Sequence, residues 1–383
     1  MKRSSEQKME QRTTYTENIH SQDDTLVFSL IDTNVSIANG LRRTIVADIP
    51  TLAFKTFPYK ENRMNITVNT SRLNNEILKQ RLACIPIHGI IDGQLPYDEL
   101  EIVVDVDNDT TDMRLVTTAD FKIRNTRLDN YLSDKTVSKI FPPDKITKDF
   151  IVLTRLRPRI SQNVPGEVLK FTAYMSMHTA GENGAYNVAS CCTYMNSPDP
   201  IKQDAAWQEY SQTLDVGGSS EIERSDWYNL DGGRIFKKDS FDFKIETVGV
   251  YTNAGIVKMG CDVLVRDINA FMDKLIPVAM TDIVMAQSRS TIADSYDLKL
   301  TGIGYTIGKI LEHLIHENYY KGVGVLTFVG FRKDHPHDNH STIRIAFKSM
   351  PEDVDVNSTI IDILKNVCHK AIQIYTSISE DFN

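Results

Sequence analysis

The chain has 383 residues, 41% of them apolar, and a net charge of −8. That length supports two or three domains with real cores. The negative balance argues against a protein whose main task is holding nucleic acid, which usually needs an excess of Lys and Arg. Five scattered cysteines without CxxC spacing fit a reducing, intracellular compartment and no disulfide framework. No apolar run approaches a membrane span, and the polar start lacks the apolar region of a signal peptide.

In chain order, residues 1–23 are polar and without periodicity, and read as a flexible tail. A strand over 25–31 leads to VSIANGLRRTIVADIP, residues 35–50. There Ile37, Leu41 and Ile45 recur every four positions, the apolar stripe of an amphipathic helix. Asn34 or Thr33 can cap it, and Pro50 ends it. Arg42 and Arg43 lie beyond the stripe, which leaves at least one guanidinium to reach outward. A second helix is expected over 71–83, with Leu73, Ile77 and Leu82 apolar and Arg72, Lys79 and Arg81 exposed.

From there to about residue 239 alternating segments dominate (100–106, 113–117, 151–155, 168–177), separated by turns rich in Asp, Asn, Pro and Gly. A short helix is expected at 201–210 and a mobile loop at 216–226. The strand FDFKIETVG (241–249) and a long helix over 261–282 follow. The pattern predicts a discontinuous first domain, 24–54 and 240–281, around an insert at 55–239. A linker at 282–294 leads to a second domain, 295–383. Its elements are a strand (295–300), a helix (306–317) with Ile307, Leu311 and Ile315 apolar, and two strands joined by a long hairpin. A closing helix (357–376) carries Leu364 and Ile372 on an apolar face wide enough to need cover on more than one side.

Sliding the chain along itself by 270 positions places Phe28, Leu30, Ile37, Leu41 and Ile45 on Leu298, Leu300, Ile307, Leu311 and Ile315, without a gap. This is too long for a solenoid period. It predicts two related domains that could pair pseudo-symmetrically. Periodicity alone also allows two unrelated strand–helix units. The fold class expected is α+β: two related strand–helix dimerisation domains, with a strand-rich insert in the first.

The residues themselves carry a resemblance. Asn39, Leu41, Arg42, Arg43, Ile49 and Pro50, then Thr51, Leu52 and Ala53, resemble the start of the alpha-type assembly subunit of multisubunit RNA polymerases. That family includes the bacterial alpha, archaeal D and eukaryotic third subunits. Residues 80–87 (QRLACIPI) resemble its next signature. Tyr305-Thr306-Ile307-Gly308, Phe328-Val329-Gly330-Phe331, His335-Pro336 and Ile343-Arg344-Ile345 resemble its small partner, archaeal L or the eukaryotic eleventh subunit.

The resemblance implies a non-catalytic platform in which both subunit types are fused, as in large nucleocytoplasmic DNA viruses. Ile37, Leu41, Ile45, Ile307, Leu311, Ile315, Leu364 and Ile372 would form the internal pairing interface. Asn39, Arg42, Arg43, Arg81, Ile85 and Pro86 would contact partners. Those partners are the largest and second-largest polymerase subunits and a small zinc-binding subunit. Nucleic acid would be met only through the complex, and no membrane is involved. The site of action would be the cytoplasmic or nuclear transcription site of an infected cell, with packaging in the virion an open alternative. No cofactor is expected in this chain; Mg and Zn would belong to partner subunits.

The chain offers little for catalysis: no GxSxG, P-loop or HExxH. His335, His337 and His340 (HPHDNH) suit zinc by residue type, and a metal-dependent enzyme built on them is the rival reading. A hairpin tip lacks a fixed ligand face, however. The run Asp105-Val106-Asp107-Asn108-Asp109 lacks the glycine and closing glutamate of an EF-hand. Some alpha-type relatives carry a cysteine cluster after the second signature; here the sequence is GIIDG, so no metal is expected. A nucleic-acid-binding module is a further alternative, disfavoured by the net charge.

Overall fold

A computed structural model describes residues 14–22, 24–89, 96–161, 163–214, 221–275, 283–288, 290–349 and 355–382. In chain order the elements are β1 (Thr16–Gln22), β2 (Thr25–Leu30), α1 (Val35–Ala47), β3 (Thr51–Ala53), β4 (Met64–Asn69), α2 (Asn75–Ala83), β5 (Leu100–Asp107), β6 (Arg114–Thr117), β7 (Lys122–Asn125), β8 (Asn130–Tyr131) and α3 (Asp134–Ile140). They continue with β9 (Val152–Leu156), β10 (Val168–Tyr174), β11 (Ser176–His178), β12 (Ala189–Pro198), α4 (Pro200–Ser211), α5 (Glu221–Asn229), β13 (Phe236–Thr247) and α6 (Asn253–Lys274). Last come β14 (Ile283–Gln287), β15 (Ser295–Thr301), α7 (Tyr305–Ile315), β16 (Leu326–Arg332), β17 (His340–Phe347) and α8 (Val356–Glu380). A π-helical turn over His316–Gly322 extends α7. The fold is α+β.

The chain divides into two compact units: Met1–Ile45 with Cys191–Glu246 and Asn253–Asn383, and Val46–Ser190 with Thr247–Thr252. The first contains two four-stranded sheets, ordered β1-β2-β13-β12 and β14-β15-β17-β16. The two orders are equivalent. In each, an edge strand and its neighbour lead to a helix (α1 or α7). Two further strands follow, the second central and leading to a long helix (α6 or α8). The register repeats as well: Phe28 pairs with Phe243, and Leu298, 270 positions on from Phe28, pairs with Ile343. All four are buried, because alternate strand residues share a face.

The polar stretch expected as tail supplies β1. Only its Thr16 is buried, so backbone pairing to β2 makes it a strand, and apolar alternation could not reveal it. The segment expected as linker likewise contains β14, paired to β15 from Ile283↔Leu300 to Gln287↔Tyr296. Residues 191–239, assigned to the insert from sequence, fall in the first unit, because β12 joins its sheet. Residues 221–226 begin α5 where a loop was expected; 216–220 lie outside the described residues. Trp227 fixes that helix against α4, its ring 5.5 Å from Trp207.

In the second unit β4-β10-β5-β7-β8 form a sheet, and β6 pairs with β9 and β11 with β3. Its core includes Phe54, Phe121, Phe141 and Phe171. Helix α2 starts at Asn75, four residues later than expected. The Asn69 carboxamide oxygen takes the Ser71 N–H and hydroxyl into a turn, and Asn74 then caps Ile77 N at 2.9 Å. The shift buries Leu78, Leu82 and Ala83 and leaves Ile77 at the surface.

Candidate pairing and docking surfaces

Helix α1 owes its start to Asn34, whose side-chain oxygen accepts from Ser36 N at 2.9 Å. That settles the cap between Asn34 and Thr33. Ile37, Leu41 and Ile45 are buried on one face, as are Leu311 and Ile315 on α7 and Leu364 on α8. Ile307 and Ile372 are only half-buried.

Close approaches show what this face meets. A Cβ at Gly40 would lie 2.8 Å from Ile310 Cδ1 and 2.8 Å from Tyr375 Oη. A Cβ at Gly260 on α6 would lie 2.8 Å from Ile45 Cγ1 and 3.4 Å from Leu41 Cδ1. The Tyr375 phenol donates to Ile37 O at 3.1 Å. So α1 meets α6 through Leu41 and Ile45, α8 through Ile37, and α7 where Gly40 faces Ile310. Sequence reading passed over Gly40 and Gly260, and took Ile310 and Tyr375 as apolar-face residues without assigning them these contacts. One signal was available: Gly40 and Ile310 are each other's counterparts under the 270-residue shift. In a two-fold pairing, a residue meets its own equivalent only near the axis.

Arg42 and Arg43 part company. Arg42 is half-buried, and its Nε donates to Asn39 Oδ1 one turn earlier at 3.0 Å. Asn39 thereby orients Arg42. Arg43 is exposed but reaches α7, where its Nε donates to Thr306 Oγ1 at 3.1 Å. In each case it is the Nε that donates, so the terminal nitrogens keep donor capacity.

The turn after α2 is divided in the same way. Arg81 is exposed and donates from Nη2 to Val152 O at 2.7 Å. Pro86 is half-buried and Cys84 exposed. Ile85, expected as a partner contact, is buried within the core of its unit. Its side chain is committed to folding, and the surface here consists of Arg81, Cys84 and Pro86.

The histidine loop does not converge. His335 Nδ1 accepts from its neighbour His337 N at 3.2 Å, and His340 Nδ1 lies 3.3 Å from Thr301 Oγ1. Among the described residues no group of three or more His, Cys, Asp or Glu could hold a metal ion. The acidic run is absorbed by ion pairs. Asp105 and Asp107 flank Lys170 Nζ at 2.9 and 3.6 Å, and Asp109 meets Arg159 at 3.3 Å. Asn108 is buried and donates to Asp112 O and Leu156 O. No helix among the described residues is long and apolar enough to cross a membrane.

Two sheets of equivalent strand order, with α1 of one and α7 of the other meeting at Gly40 and Ile310, define a pairing architecture. Residues 27–268, from β2 into α6, match the RNA polymerase Rpb3/Rpb11 dimerisation domain, and the chain belongs to that family. Subunit 3B of RNA polymerases IV and V from Arabidopsis thaliana is 28% identical over 196 residues, covering 47% of this chain and 56% of that protein. Subunit RPAC1 of RNA polymerases I and III from Bos taurus is 24% identical over 313 residues, 68% of this chain and 84% of its own. Subunit Rpo3 of the RNA polymerase of Pyrococcus horikoshii is 22% identical over 273 residues, 66% and 94%. The chain thus spans little more than half the length of the plant relative.

Proposed function

We propose that this protein is a non-catalytic assembly platform of a multisubunit DNA-directed RNA polymerase, with the alpha-type and L-type halves fused in one chain. The observation that carries the reading is the crossing of α1 and α7 at Gly40 and Ile310, equivalent positions of the two halves. Fusion makes such pairing intramolecular, at an effective concentration on the order of millimolar for a short linker. It also fixes the halves at one to one.

The partners under this reading are the second-largest and largest subunits, with a small zinc-binding subunit beside the alpha-type half. Mg and Zn belong to those partners. Arg42 and Arg43 are the first contacts, with Arg81 and Pro86 a second. Arg suits such surfaces because its planar fork pairs bidentately with carboxylates. The fusion itself is what aligns the chain with large nucleocytoplasmic DNA viruses, hence with transcription in an infected cell.

Affinity purification of the tagged chain from its native source tests this. Two large co-eluting chains in equal amount, with polymerising activity, are expected. Arg42→Glu with Arg43→Glu should release both, while Thr306→Val, which removes only the internal partner of Arg43, should not. A chain that elutes without large partners overturns the proposal.

A further inference from the structure

Four arginines of the second unit, Arg72, Arg81, Arg155 and Arg157, line one open cleft of about 420 Å³. Its floor is apolar: Leu73, Met113 and Val152. Met113 is 58% exposed and Leu115, paired across the ladder with Arg155, is 45% exposed. Such a patch on a chain of net charge −8 is a local reversal of sign.

The four guanidinium groups differ in how far they are already used. Arg157 Nε is bound to Glu167 Oε1 at 2.5 Å, and Arg81 Nη2 to Val152 O at 2.7 Å. Arg72 and Arg155 are exposed and have no hydrogen-bond or ion-pair partner among the described residues. Two anchored arginines therefore form a fixed rim, and two unpaired ones can close on a ligand.

We infer that this cleft is a docking site for an acidic polypeptide segment of a partner chain, one carrying a large apolar side chain among its carboxylates. Two free forks match carboxylates bidentately. The apolar floor, with the thioether of Met113 as an adaptable surface, takes the hydrophobic anchor. Nucleic acid is the poorer fit: no aromatic ring lines the cleft for bases to stack on, whereas an apolar lining suits a hydrophobic side chain. Arg81 is shared with the second contact proposed above, so the inference deepens that reading at this point. Arg72 and Arg155 are not invoked there, so loss of this site leaves the co-purification result standing.

The test uses the full chain and fluorescence anisotropy with a labelled twelve-residue peptide of Asp and Glu with Leu at every third position. Comparison probes are the same peptide with Leu replaced by Ser, and a single-stranded oligonucleotide of equal charge. Binding should weaken roughly tenfold or more in Arg72→Glu plus Arg155→Glu, because attraction becomes like-charge repulsion. Met113→Ser should weaken the Leu peptide while leaving the Ser peptide's residual binding unchanged. Unaltered thermal unfolding of both variants keeps the comparison on the surface. Absence of peptide binding, or binding indifferent to the charge reversal, overturns the inference. So does oligonucleotide binding that is tighter than the peptide's and lost with the same arginines, or self-association lost with them, which would make the occupant a second copy.

Discussion

The phenol of Tyr375 on α8 donates to the backbone carbonyl of Ile37 on α1 at 3.1 Å, across 338 positions of sequence. Tyr375 is fully buried, and burial pushes its phenol well above the usual tyrosine range. Tyr375→Phe removes one hydrogen bond but keeps the ring. It should lower stability by about 0.5–1.5 kcal/mol. Tyr375→Ala also opens a cavity and should cost about 3–5 kcal/mol. Urea unfolding measures both, and an unchanged midpoint for the Phe variant would show that the bond carries no net stability.

Gly308 and Phe331 belong to two separate motifs of the second half, and they touch. A Cβ on Gly308 would lie 2.2 Å from Phe331 Cε2 and 2.4 Å from its Cζ. Ala is the better helix former by about 1 kcal/mol. Even so, Gly308→Ala should destabilise by about 1–3 kcal/mol, because a buried ring cannot give way as a side-chain tip can. Phe331→Leu in the same chain should recover part of the loss. A double-mutant cycle with no coupling would refute the contact.

The close approaches at Gly40 and Gly308 mark where sequence reading stopped. The apolar stripes of α1, α7 and α8 were legible because burial imposes a 3.6-residue period, and the 270-residue shift exposed the repeat. Strand β1 was not legible, because all but one of its residues are exposed and backbone pairing to β2 holds it; β14 (IVMAQ) does carry an apolar run, but its place between two domains led it to be read as linker. Ile85 was read as a surface contact because its motif was treated as one unit, while burial divides that motif residue by residue. The α1–α7 crossing lies at Gly40, a residue with no side chain to announce it.

Asp297 and Arg344 stand directly opposite each other on β15 and β17. Their bond is bidentate, Nε to Oδ1 at 2.6 Å and Nη2 to Oδ2 at 2.8 Å. Arg344 holds the Asp297 carboxyl below its ordinary value, with Ser288 assisting. A depressed carboxyl stabilises the fold above its unfolded pKa of about 3.9 and loses that contribution as pH falls through the folded value. Both side chains are about a quarter exposed, so screening limits the effect to about 1 kcal/mol. Asp297→Asn should show that deficit at pH 7, and the gap from wild type should close below about pH 3.9. A deficit constant with pH would assign it to packing instead of charge.

Cysteine reactivity separates folding from docking. Cys84 is exposed and Cys191 half-buried, while Cys192, Cys261 and Cys368 are buried. Burial pushes the thiols of Cys192 and Cys368 up to about 12 and that of Cys261 higher still. Since the thiolate is the nucleophile, a disulfide reagent at pH 8 should modify Cys84 promptly and Cys191 more slowly. The other three should react only on unfolding. Cys84 lies between Arg81 and Pro86, on the surface of the second proposed contact. If a partner covers that turn, Cys84 should be protected in the purified complex and reactive in the isolated chain, with Cys261 silent in both. Equal Cys84 rates in the two samples would remove this turn from the docking surface and leave Arg42 and Arg43 to carry it.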